Sequence, residues 1–503
     1  MRQSVQHSPH NNMNARSLMF QGTGSDVGKS TLVAGLCRIA RRRGLRVAPF
    51  KPQNMSNNAA TCEDGGEIGR AQALQAQAAG LELCTDFNPV LLKPQTDRSA
   101  QVVVHGKVFD TVSAKSYMTE RRGHLLGAVM DSYYRLKEQY DLVLIEGAGS
   151  PAEINLRDHD IANMGFARAA NVPVCLIGDI DRGGVIAAIV GTRAVLDSDD
   201  AQQIVSFIIN RFRGDPSLFD DGVSAIEQQS DWPCRGVVPW LPSALRLPQE
   251  DAVVLERSKA TAHGEGKRLL KIAVPMLSRI ANFDDLDPLR LEPSVELTFV
   301  PPGQSMPLDC DAIILPGTKS TAGDLAFMQT QGWDHDVIAF ARSGGRVLGL
   351  CGGYQLLGQW IKDPEGFDGK PADTQALGLL NVETTMLASK TTHPVSGHCA
   401  RSQHPLSGYE IHNGTTRGAD RDRAMTVLPQ GREGAISADG RIEGTYLHGL
   451  FGNDAFRHWW LQGLGTTASS DLMYHDCVEA ELDALADGLE QALDVDALFN
   501  EAR

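Results

Sequence analysis

The sequence lacks paired cysteines and any apolar run long enough to cross a bilayer. Its nine cysteines stand singly, none in a Cys-x-x-Cys arrangement, and their number is odd. Such usage predicts a protein without a disulfide framework in a reducing compartment, for which we expect the cytoplasm. No membrane association is expected.

Positive charge is also in short supply. The 47 Lys and Arg residues are outnumbered by 62 Asp and Glu residues, so the formal net charge is −15. Nucleic acids and anionic membranes are bound through a basic face that neutralises phosphate, and this balance argues against both as partners. An acidic substrate would need a local positive pocket.

The first residues are polar, rich in His and Asn, and without the apolar segment of a signal peptide, so we predict a disordered tail over 1–16. The rest of the 503-residue chain is long enough for two large domains. A shift to small, polar and charged residues marks a linker at 257–268. The predicted domains are 17–256 and 269–465, followed by a helical extension over 466–503.

A glycine-rich turn, Gly22-Thr-Gly-Ser-Asp-Val-Gly-Lys-Ser-Thr31, stands between a short apolar segment and a helical pattern. The backbone N–H groups of such a turn converge on polyphosphate oxygens, and the helix N-terminus adds positive potential. Thr23 replaces a glycine of the standard spacing, so the loop is a variant. An ordinary glycine-rich turn is the alternative. The residues predicted to bind the nucleotide are Gly24, Gly28, Lys29, Ser30 and Thr31, with Ser30 also on Mg²⁺.

Reactive side chains recur where apolar strands end. Lys51 follows one strand, Glu146 ends Leu142–Glu146, and Asp179 ends the next. Strand and helix patterns that alternate in this way predict a parallel α/β sheet with its ligands at the carboxyl edge. A carboxylate at the tip of an apolar strand is costly unless it meets a cation, so Glu146 is predicted to hold Mg²⁺ or its water shell, with an exposed acid as the alternative.

Two further polar features follow the first strands. The amide-rich stretch 53–58 suits hydrogen bonding to a ligand or an ordinary turn. Glu67 precedes an alanine-rich helix, where it could serve the metal or cap the helix. The sequence leaves both questions open.

In the second half, an apolar strand breaks at Cys351 into glycines and resumes as a helix. This pattern is typical of a nucleophile elbow, in which the helix dipole favours a thiolate; a buried structural cysteine is the alternative. His448, at the end of another strand, is the predicted base, and His412 is the competing candidate. The backbone N–H groups of Gly317 and Gly352 are predicted to form an oxyanion hole.

Together these stretches resemble the cobyric acid synthase family over about residues 17 to 460. The motifs that carry the resemblance are Gly22-Thr-Gly-Ser-Asp-Val-Gly-Lys-Ser30, Lys51-Pro-Gln-Asn-Met-Ser-Asn-Asn58, Glu67-Ile-Gly-Arg-Ala-Gln72, Asn88-Pro-Val-Leu-Leu-Lys-Pro94, Asp179-Ile-Asp-Arg-Gly-Gly184, Asn210-Arg-Phe-Arg-Gly-Asp215, Leu350-Cys-Gly-Gly-Tyr-Gln355 and Tyr446-Leu-His-Gly449.

The resemblance implies a dethiobiotin-synthetase-like P-loop domain with a parallel sheet, followed by a flavodoxin-like class I glutamine amidotransferase α/β domain. It implies amidation of the b, d, e and g carboxylates of adenosylcobyrinic acid a,c-diamide, with ATP, Mg²⁺ and L-glutamine and no tightly bound organic cofactor. The sequence leaves open whether the chain forms a homo-oligomer.

The resemblance also implies roles for individual residues. Cys351 would be the glutaminase nucleophile and His448 its partner, while Asn210 would read adenine. Class I glutaminases place a glutamate two residues beyond the histidine, where this chain has Leu450, so His448 would act in a dyad or be oriented by another acid such as Glu443. The residues expected at phosphate and magnesium are Lys29, Ser30, Glu67 and Glu146, and those expected to face the corrinoid are Lys51, Asn54, Asn57, Asp179, Asp181 and Arg182.

Three alternatives remain at this point. The nearest is cobyrinic acid a,c-diamide synthase, which amidates the a and c carboxylates of the same ring. A ParA/MinD-like regulatory ATPase would carry a signature lysine where Gly24 stands and would not need the cysteine elbow. A glutamine sensor with an inactive glutaminase is disfavoured by the presence of both Cys351 and His448.

Overall fold

The computed structural model of the chain describes residues 15–95, 99–113, 122–250, 269–465 and 470–503. The predicted linker over 257–268 and the first 14 residues of the predicted tail lie outside these ranges. Two largely parallel sheets organise the described residues, one in each half of the chain. No helix in these ranges is both long and apolar enough to cross a membrane.

The first sheet has six strands, and all of its neighbouring pairs are parallel. This confirms the parallel α/β sheet predicted from the strand and helix patterns. In their spatial order the strands are Cys234–Pro239, Ile204–Phe212, Val174–Asp179, Arg16–Gly22, Leu142–Glu146 and Val47–Phe50.

Both faces of this sheet are covered by helices because its strands are apolar on both sides. Leu142 and Leu144 belong to one buried core, whereas Val143 and Ile145 of the same strand belong to the other. The alternation places successive side chains on opposite faces. Within the described ranges the α-helices of this half are Lys29–Arg42, Arg70–Ala79, Arg122–Gln139, Met164–Ala170, Val185–Val195, Ser198–Gln203, Asp220–Ser230 and Ser243–Arg246.

Smaller sheets extend the first half toward the second. The stretch predicted as a polar loop at 53–58 begins as a short strand, Gln53–Met55, which pairs in parallel with Val90–Pro94. Glu67 lies in a second short strand, Glu67–Gly69, rather than in a helical turn. The four-stranded sheet is Gln53–Met55, Val90–Pro94, Ser99–Val104 and Lys107–Ser113, and the two-stranded one is Ala59–Thr61 with Glu67–Gly69.

The second main sheet also has six strands, of which only the last pairs antiparallel. In spatial order they are Val295–Val300, Leu270–Pro275, Ala312–Leu315, Arg346–Leu350, Ile442–Thr445 and Ala435–Ile436. The α-helices of this half are Asp287–Arg290, Thr321–Gln331, Trp333–Arg342, Gly352–Leu357 and Asp454–Gly463.

A mixed sheet covers the carboxyl edge of that sheet. Its two long strands, Glu383–Cys399 and Pro405–Arg417, pair antiparallel, and the second also pairs with Leu447–His448. The remaining strands are Trp360–Asp363, Ala372–Gln375, Thr426–Leu428 and Gly431–Glu433, and Ile280–Ala281 pairs separately with Gly317–Thr318.

The C-terminal helices return to the first sheet rather than packing on the second. Leu482, Leu485 and Leu489 of the helix Tyr474–Ala492 are buried in the core formed with helix Lys29–Arg42. Gly35 permits this close approach, because a methyl group there would collide with Leu489. The sequence pattern predicted the helices but not the sheet on which they pack. The final helix is Val495–Glu501.

Candidate active sites

A cavity of about 780 Å³ lies at the carboxyl edge of the first sheet, where the glycine-rich turn enters helix Lys29–Arg42. Gly28 has φ +93°, a left-handed conformation that glycine adopts without strain. The Nζ atom of Lys29 donates to the carbonyl oxygens of Gly24 at 2.9 Å and Gly149 at 3.2 Å. The turn therefore places the lysine across its own loop, as a phosphate-binding loop requires.

Ser30 and Glu146 meet in this cavity. The Ser30 hydroxyl donates to Glu146 Oε1 at 2.7 Å, and Lys51 Nζ lies 2.8 Å from the same oxygen. The other oxygen accepts from Gln75 Nε2 at 2.6 Å. Burial alone would raise the pKa of Glu146, but Lys51 and the Ser30 hydroxyl outweigh it, so the pKa lies below its ordinary value.

The pair Ser30 and Glu146 suits Mg²⁺ in chemical type, because hydroxyl and carboxylate oxygens are the hard ligands this ion prefers. Within the described ranges no group of three or more His, Cys, Asp or Glu residues could hold a metal on its own. A magnesium ion here would therefore depend on phosphate oxygens and water for its remaining ligands.

Glu67 does not lie with Ser30 and Glu146 at the large cavity. Its two carboxylate oxygens are bound by Lys93, at 2.7 Å, and by Lys390 from the second half of the chain. Glu67 is absent from the lining of the large cavity, whereas both lysines line the smaller cavity beside Cys351. This geometry gives no support to Glu67 as a ligand of the same metal as Ser30 and Glu146.

Thr31 lines the large cavity next to Ser30. Asn210, predicted to read adenine, donates its Nδ2–H to the carbonyl of Val27 at 2.8 Å and so supports the phosphate-binding turn from behind. The neighbouring Arg211 lines the cavity. A direct contact between Asn210 and a nucleotide base stays a prediction.

The residues expected to face the corrinoid separate into three places. Lys51 and Asn54 line the large cavity, and Asn54 Nδ2 donates to Glu250 Oε1 at 2.6 Å. Asn57 instead lines the smaller cavity beside Cys351. The structure thus divides the 53–58 stretch between the two cavities.

The acidic turn after strand Val174–Asp179 forms ion pairs around the glycine-rich loop. Arg211 bridges Asp179 and Asp26, each at 3.0 Å, and Arg182 contacts Asp26 at 2.6 Å. Asp181 is paired with Arg213 at 2.5 Å. Asp179 and Arg182 brace the loop through Arg211 and Asp26, whereas Asp181 pairs outside it with Arg213, so this arrangement does not support the predicted role of these residues in corrinoid binding.

Cys351 lies at the turn between strand Arg346–Leu350 and helix Gly352–Leu357, with φ +52° and ψ −109°. A non-glycine residue with positive φ is strained and is found where function requires it. The adjacent glycines allow the close approach, because a side chain at Gly353 would collide with the carbonyl of Leu315. This is the elbow that the sequence pattern predicted.

His448 is held beside the cysteine by a carboxylate. Its Nδ1 lies 2.6 Å from Asp285 Oδ2, and the backbone N–H of Gly449 donates to Asp285 Oδ1 at 2.7 Å. Burial would lower the pKa of His448, but Asp285 and the Cys351 sulfur raise it well above its ordinary value. With Nδ1–H directed at Asp285, Nε2 is left to exchange a proton with the cysteine.

Asp285 was not among the residues predicted from the sequence. Glu443, offered there as an orienting acid, is instead bound by Arg401. The only sequence signal for Asp285 is a run of acidic residues, Asp284, Asp285 and Asp287, within an otherwise apolar stretch. His412, the competing base, is stacked on Tyr446, and burial lowers the pKa of His412 to about 4.

Gly317 and Gly352 both line the cavity that contains Cys351 and His448, as an oxyanion hole would require. A Cβ at Gly317 would lie 3.5 Å from the His448 ring, and one at Gly352 would lie 3.0 Å from the backbone nitrogen of Thr318. This cavity measures about 70 Å³, far below the size of an ordinary ligand pocket, so side chains must move to admit a substrate.

The two halves of the chain meet between the cavities. Asn282, beside the Asp284–Asp285 segment, donates its backbone N–H to Asn58 Oδ1 at 2.6 Å and its Nδ2–H to the carbonyl of Ala59 at 3.0 Å. Arg70 contacts Asp284 at 3.0 Å. The segment that carries the partner of His448 is therefore attached to the nucleotide-binding half.

Comparison with known proteins matches both halves. The model of the CobQ/CobB/MinD/ParA nucleotide binding domain matches residues 18–254, and that of the CobB/CobQ-like glutamine amidotransferase domain matches residues 271–456. A protein of Hyphomonas neptunium named cobyric acid synthase is 63% identical over 97% of each chain. The chain belongs to the cobyric acid synthase family.

Other members of the cobyric acid synthase family are similar over the same extent. The proteins of that name from Paracoccus denitrificans and Bradyrhizobium diazoefficiens are 60% and 58% identical, over 97% of this chain and all of theirs. The match confirms the two predicted units, a P-loop domain and a glutamine amidotransferase domain, in that order.

Proposed function

We propose that this chain amidates the b, d, e and g side-chain carboxylates of adenosylcobyrinic acid a,c-diamide, with ATP and L-glutamine, to give adenosylcobyric acid in cobalamin biosynthesis. The observation that carries the proposal is that one chain holds both a cavity around a phosphate-binding loop and a cysteine elbow served by His448 and Asp285. Its high identity to relatives named cobyric acid synthase supports this substrate over other acids.

The first cavity would activate the acid. A carboxylate resists ammonia because it is anionic and has no leaving group, so the γ-phosphoryl group of ATP is first transferred to one of its oxygens. The resulting acyl phosphate loses inorganic phosphate when ammonia attacks. Catalysis of phosphoryl transfer is mainly positioning and charge neutralisation. Lys29 would contact the outer phosphates, and Ser30 and Glu146 would hold Mg²⁺, which neutralises phosphate charge when bound.

The second site would supply the ammonia. The Cys351 thiolate attacks the side-chain amide of glutamine, and His448 donates a proton to the departing nitrogen. The developing oxyanion would be stabilised by the N–H groups of Gly317 and Gly352, each worth about 3 kcal/mol in the transition state. Water then hydrolyses the thioester, with His448 as base, and releases glutamate.

Ammonia must reach the acyl phosphate unprotonated, because ammonium has no lone pair with which to attack. The contacts of Asn282 with Asn58 and Ala59 are buried and hold the two halves together between the cavities. A path for ammonia along this buried contact would be shielded from solvent. We assign the ligase to 17–256, the glutaminase to 269–465 and the helical extension to 466–503. A cytoplasmic location stays a prediction, and the oligomeric state stays open.

The test is to count the amides formed on the corrinoid by mass spectrometry, with ATP, Mg²⁺ and amide-¹⁵N-labelled glutamine. The proposal expects four labelled nitrogens on adenosylcobyrinic acid a,c-diamide and none on a ring that lacks the a and c amides. Amidation confined to the a and c positions would identify the chain as a cobyrinic acid a,c-diamide synthase. ATP hydrolysis without amidation of either acid would favour a regulatory ATPase.

A further inference from the structure

The small cavity beside Cys351 is lined by charged and amide side chains from both halves of the chain. Six of its lining residues matter here: Asn57, Lys93 and Gln101 from the first half, and Lys319, Asp368 and Lys390 from the second. The proposed mechanism uses none of them.

Positive charge is in excess in this cluster. Glu67 is buried and shared by Lys93 and Lys390, one on each oxygen. Lys319 donates to the Oε1 atom of Gln101 at 3.0 Å, and over the described ranges no carboxylate lies within 4.0 Å of its Nζ. Burial and the neighbouring lysines lower the pKa of Lys319 to about 8 and that of Lys390 to about 7. A buried excess of cations is stabilised by an anion.

Acceptors for a cation line the same cavity. The Oδ1 atom of Asn57 is buried and has no hydrogen-bond partner in the described part of the chain. The Asp368 carboxylate accepts the backbone N–H of Ala322 at 2.8 Å, and burial raises the pKa of Asp368 to about 7. An orphaned buried acceptor is costly unless a ligand supplies the donor.

We propose that this cavity binds the α-amino-acid end of glutamine, with Lys319 and Lys93 on the α-carboxylate and with Asn57 and Asp368 on the α-ammonium group. The assignment rests on the proposed function in one respect, that glutamine is the nitrogen donor. Because Asn57 and Lys93 belong to the first half of the chain, the glutamine site is complete only when the two halves are in contact. Asn57 was predicted from the sequence to face the corrinoid, and under this proposal it contacts glutamine instead.

A purely structural cluster would behave differently. If Lys319 and Lys93 only joined the two halves, their replacement would slow hydrolysis of every amide by the same factor. A subsite for the α-carboxylate affects only substrates that carry that group. The comparison therefore needs an amide without it, and 4-aminobutanamide is glutamine with the α-carboxylate removed.

The experiment measures kcat/KM for hydrolysis of glutamine and of 4-aminobutanamide by the full chain and by Lys319→Met and Lys93→Met variants. Lys271→Met is the matched control, because Lys271 is half-exposed on the far strand Leu270–Pro275 and pairs with Asp309. The preference for glutamine is the ratio of kcat/KM for glutamine to kcat/KM for 4-aminobutanamide. This ratio should fall roughly 10- to 100-fold in both test variants, mainly through a higher KM for glutamine, because a charge-assisted hydrogen bond is lost. The preference of the control should not change.

Equal losses on both substrates, or an unchanged preference, would overturn the proposal. If either variant fails to fold, the wild-type chain alone provides the test. It should strongly prefer glutamine both to 4-aminobutanamide and to 4-carbamoylbutanoate, which lacks the α-ammonium group. Absence of either preference overturns the assignment. A chain that shows these preferences but amidates no corrinoid would refute the proposed function and leave this inference standing.

Discussion

Replacing Asp285 with asparagine should remove most of the glutamine-dependent reaction while sparing the reaction with free ammonia. Both carboxylate oxygens are engaged, one by His448 Nδ1 at 2.6 Å and the other by the N–H of Gly449 at 2.7 Å. Asparagine offers one acceptor oxygen and one amide NH2 group, which is itself a donor, so it can accept from only one of these two N–H groups. The imidazole then loses either its orientation or the tautomer that directs Nε2 to Cys351.

The size of the effect follows from the bond that is lost. A hydrogen bond to a charged group contributes about 1.5–3 kcal/mol, and since each 1.4 kcal/mol is tenfold, kcat for glutamine should fall roughly 10- to 150-fold. Asp285 also helps to raise the pKa of His448. Without that carboxylate the imidazolium loses its proton at lower pH, so the alkaline limit of glutaminase activity should move to lower pH.

The assay compares glutamate release from glutamine with ammonia-dependent amidation. Glu443→Gln is the matched control, because Glu443 is the buried acid on the strand before His448 but is bound by Arg401 instead. The pH profile of glutamine hydrolysis by Glu443→Gln should have the same shape as that of the wild-type chain. Wild-type activity with an unchanged pH profile in Asp285→Asn, or a selective loss in Glu443→Gln, would refute the role given to Asp285.

Three other outcomes test the rest of the structure. Glu146→Gln should lower amidation at least about 100-fold with either nitrogen source, because the proposed metal loses its carboxylate, and rescue by ammonia would contradict this. Leu489→Ala should lower the free energy of unfolding by about 2–5 kcal/mol, measured in urea, since Leu489 is fully buried against helix Lys29–Arg42. Burial would raise the pKa of Glu67, but Lys390 and Lys93 hold it well below its ordinary value. Glu67→Gln should therefore destabilise the chain by roughly 3 kcal/mol at pH 7 and by less below about pH 4, because there the unfolded wild-type chain binds a proton at Glu67 that the folded chain does not. An equal difference at both pH values would argue against it.

The two loops that carry the chemistry were predictable because residues adjacent in the sequence determine their backbone conformation. Gly28 adopts φ +93° where the phosphate-binding turn enters its helix, and Cys351 adopts φ +52° between Leu350 and the glycine pair 352–353. In both cases the glycines that the turn needs stand directly beside the residue that the reaction needs, so one short motif reports both. The parallel strands followed in the same way from apolar runs such as Leu142–Glu146.

What the sequence did not reveal depends on contacts between distant segments. Asp285 reaches His448 across 163 residues, and no local pattern links the two. Glu67 stands in a motif near the nucleotide loop, yet it binds Lys390, which is 323 residues away and lines the other cavity. A helical extension was predicted over 466–503, but no local pattern could say that Gly35 leaves room for its helix Tyr474–Ala492 on the first sheet.

The central claim is that one half of the chain activates the acid and the other produces the ammonia. The most direct measurement is amidation by Cys351→Ala with ATP and Mg²⁺, supplied in turn with ¹⁵N-labelled glutamine and with ¹⁵N-labelled ammonium. The account predicts no label in the corrinoid from glutamine and label from ammonium at a rate close to that of the wild-type chain. Incorporation from glutamine, or none from ammonium by a correctly folded variant, would contradict it.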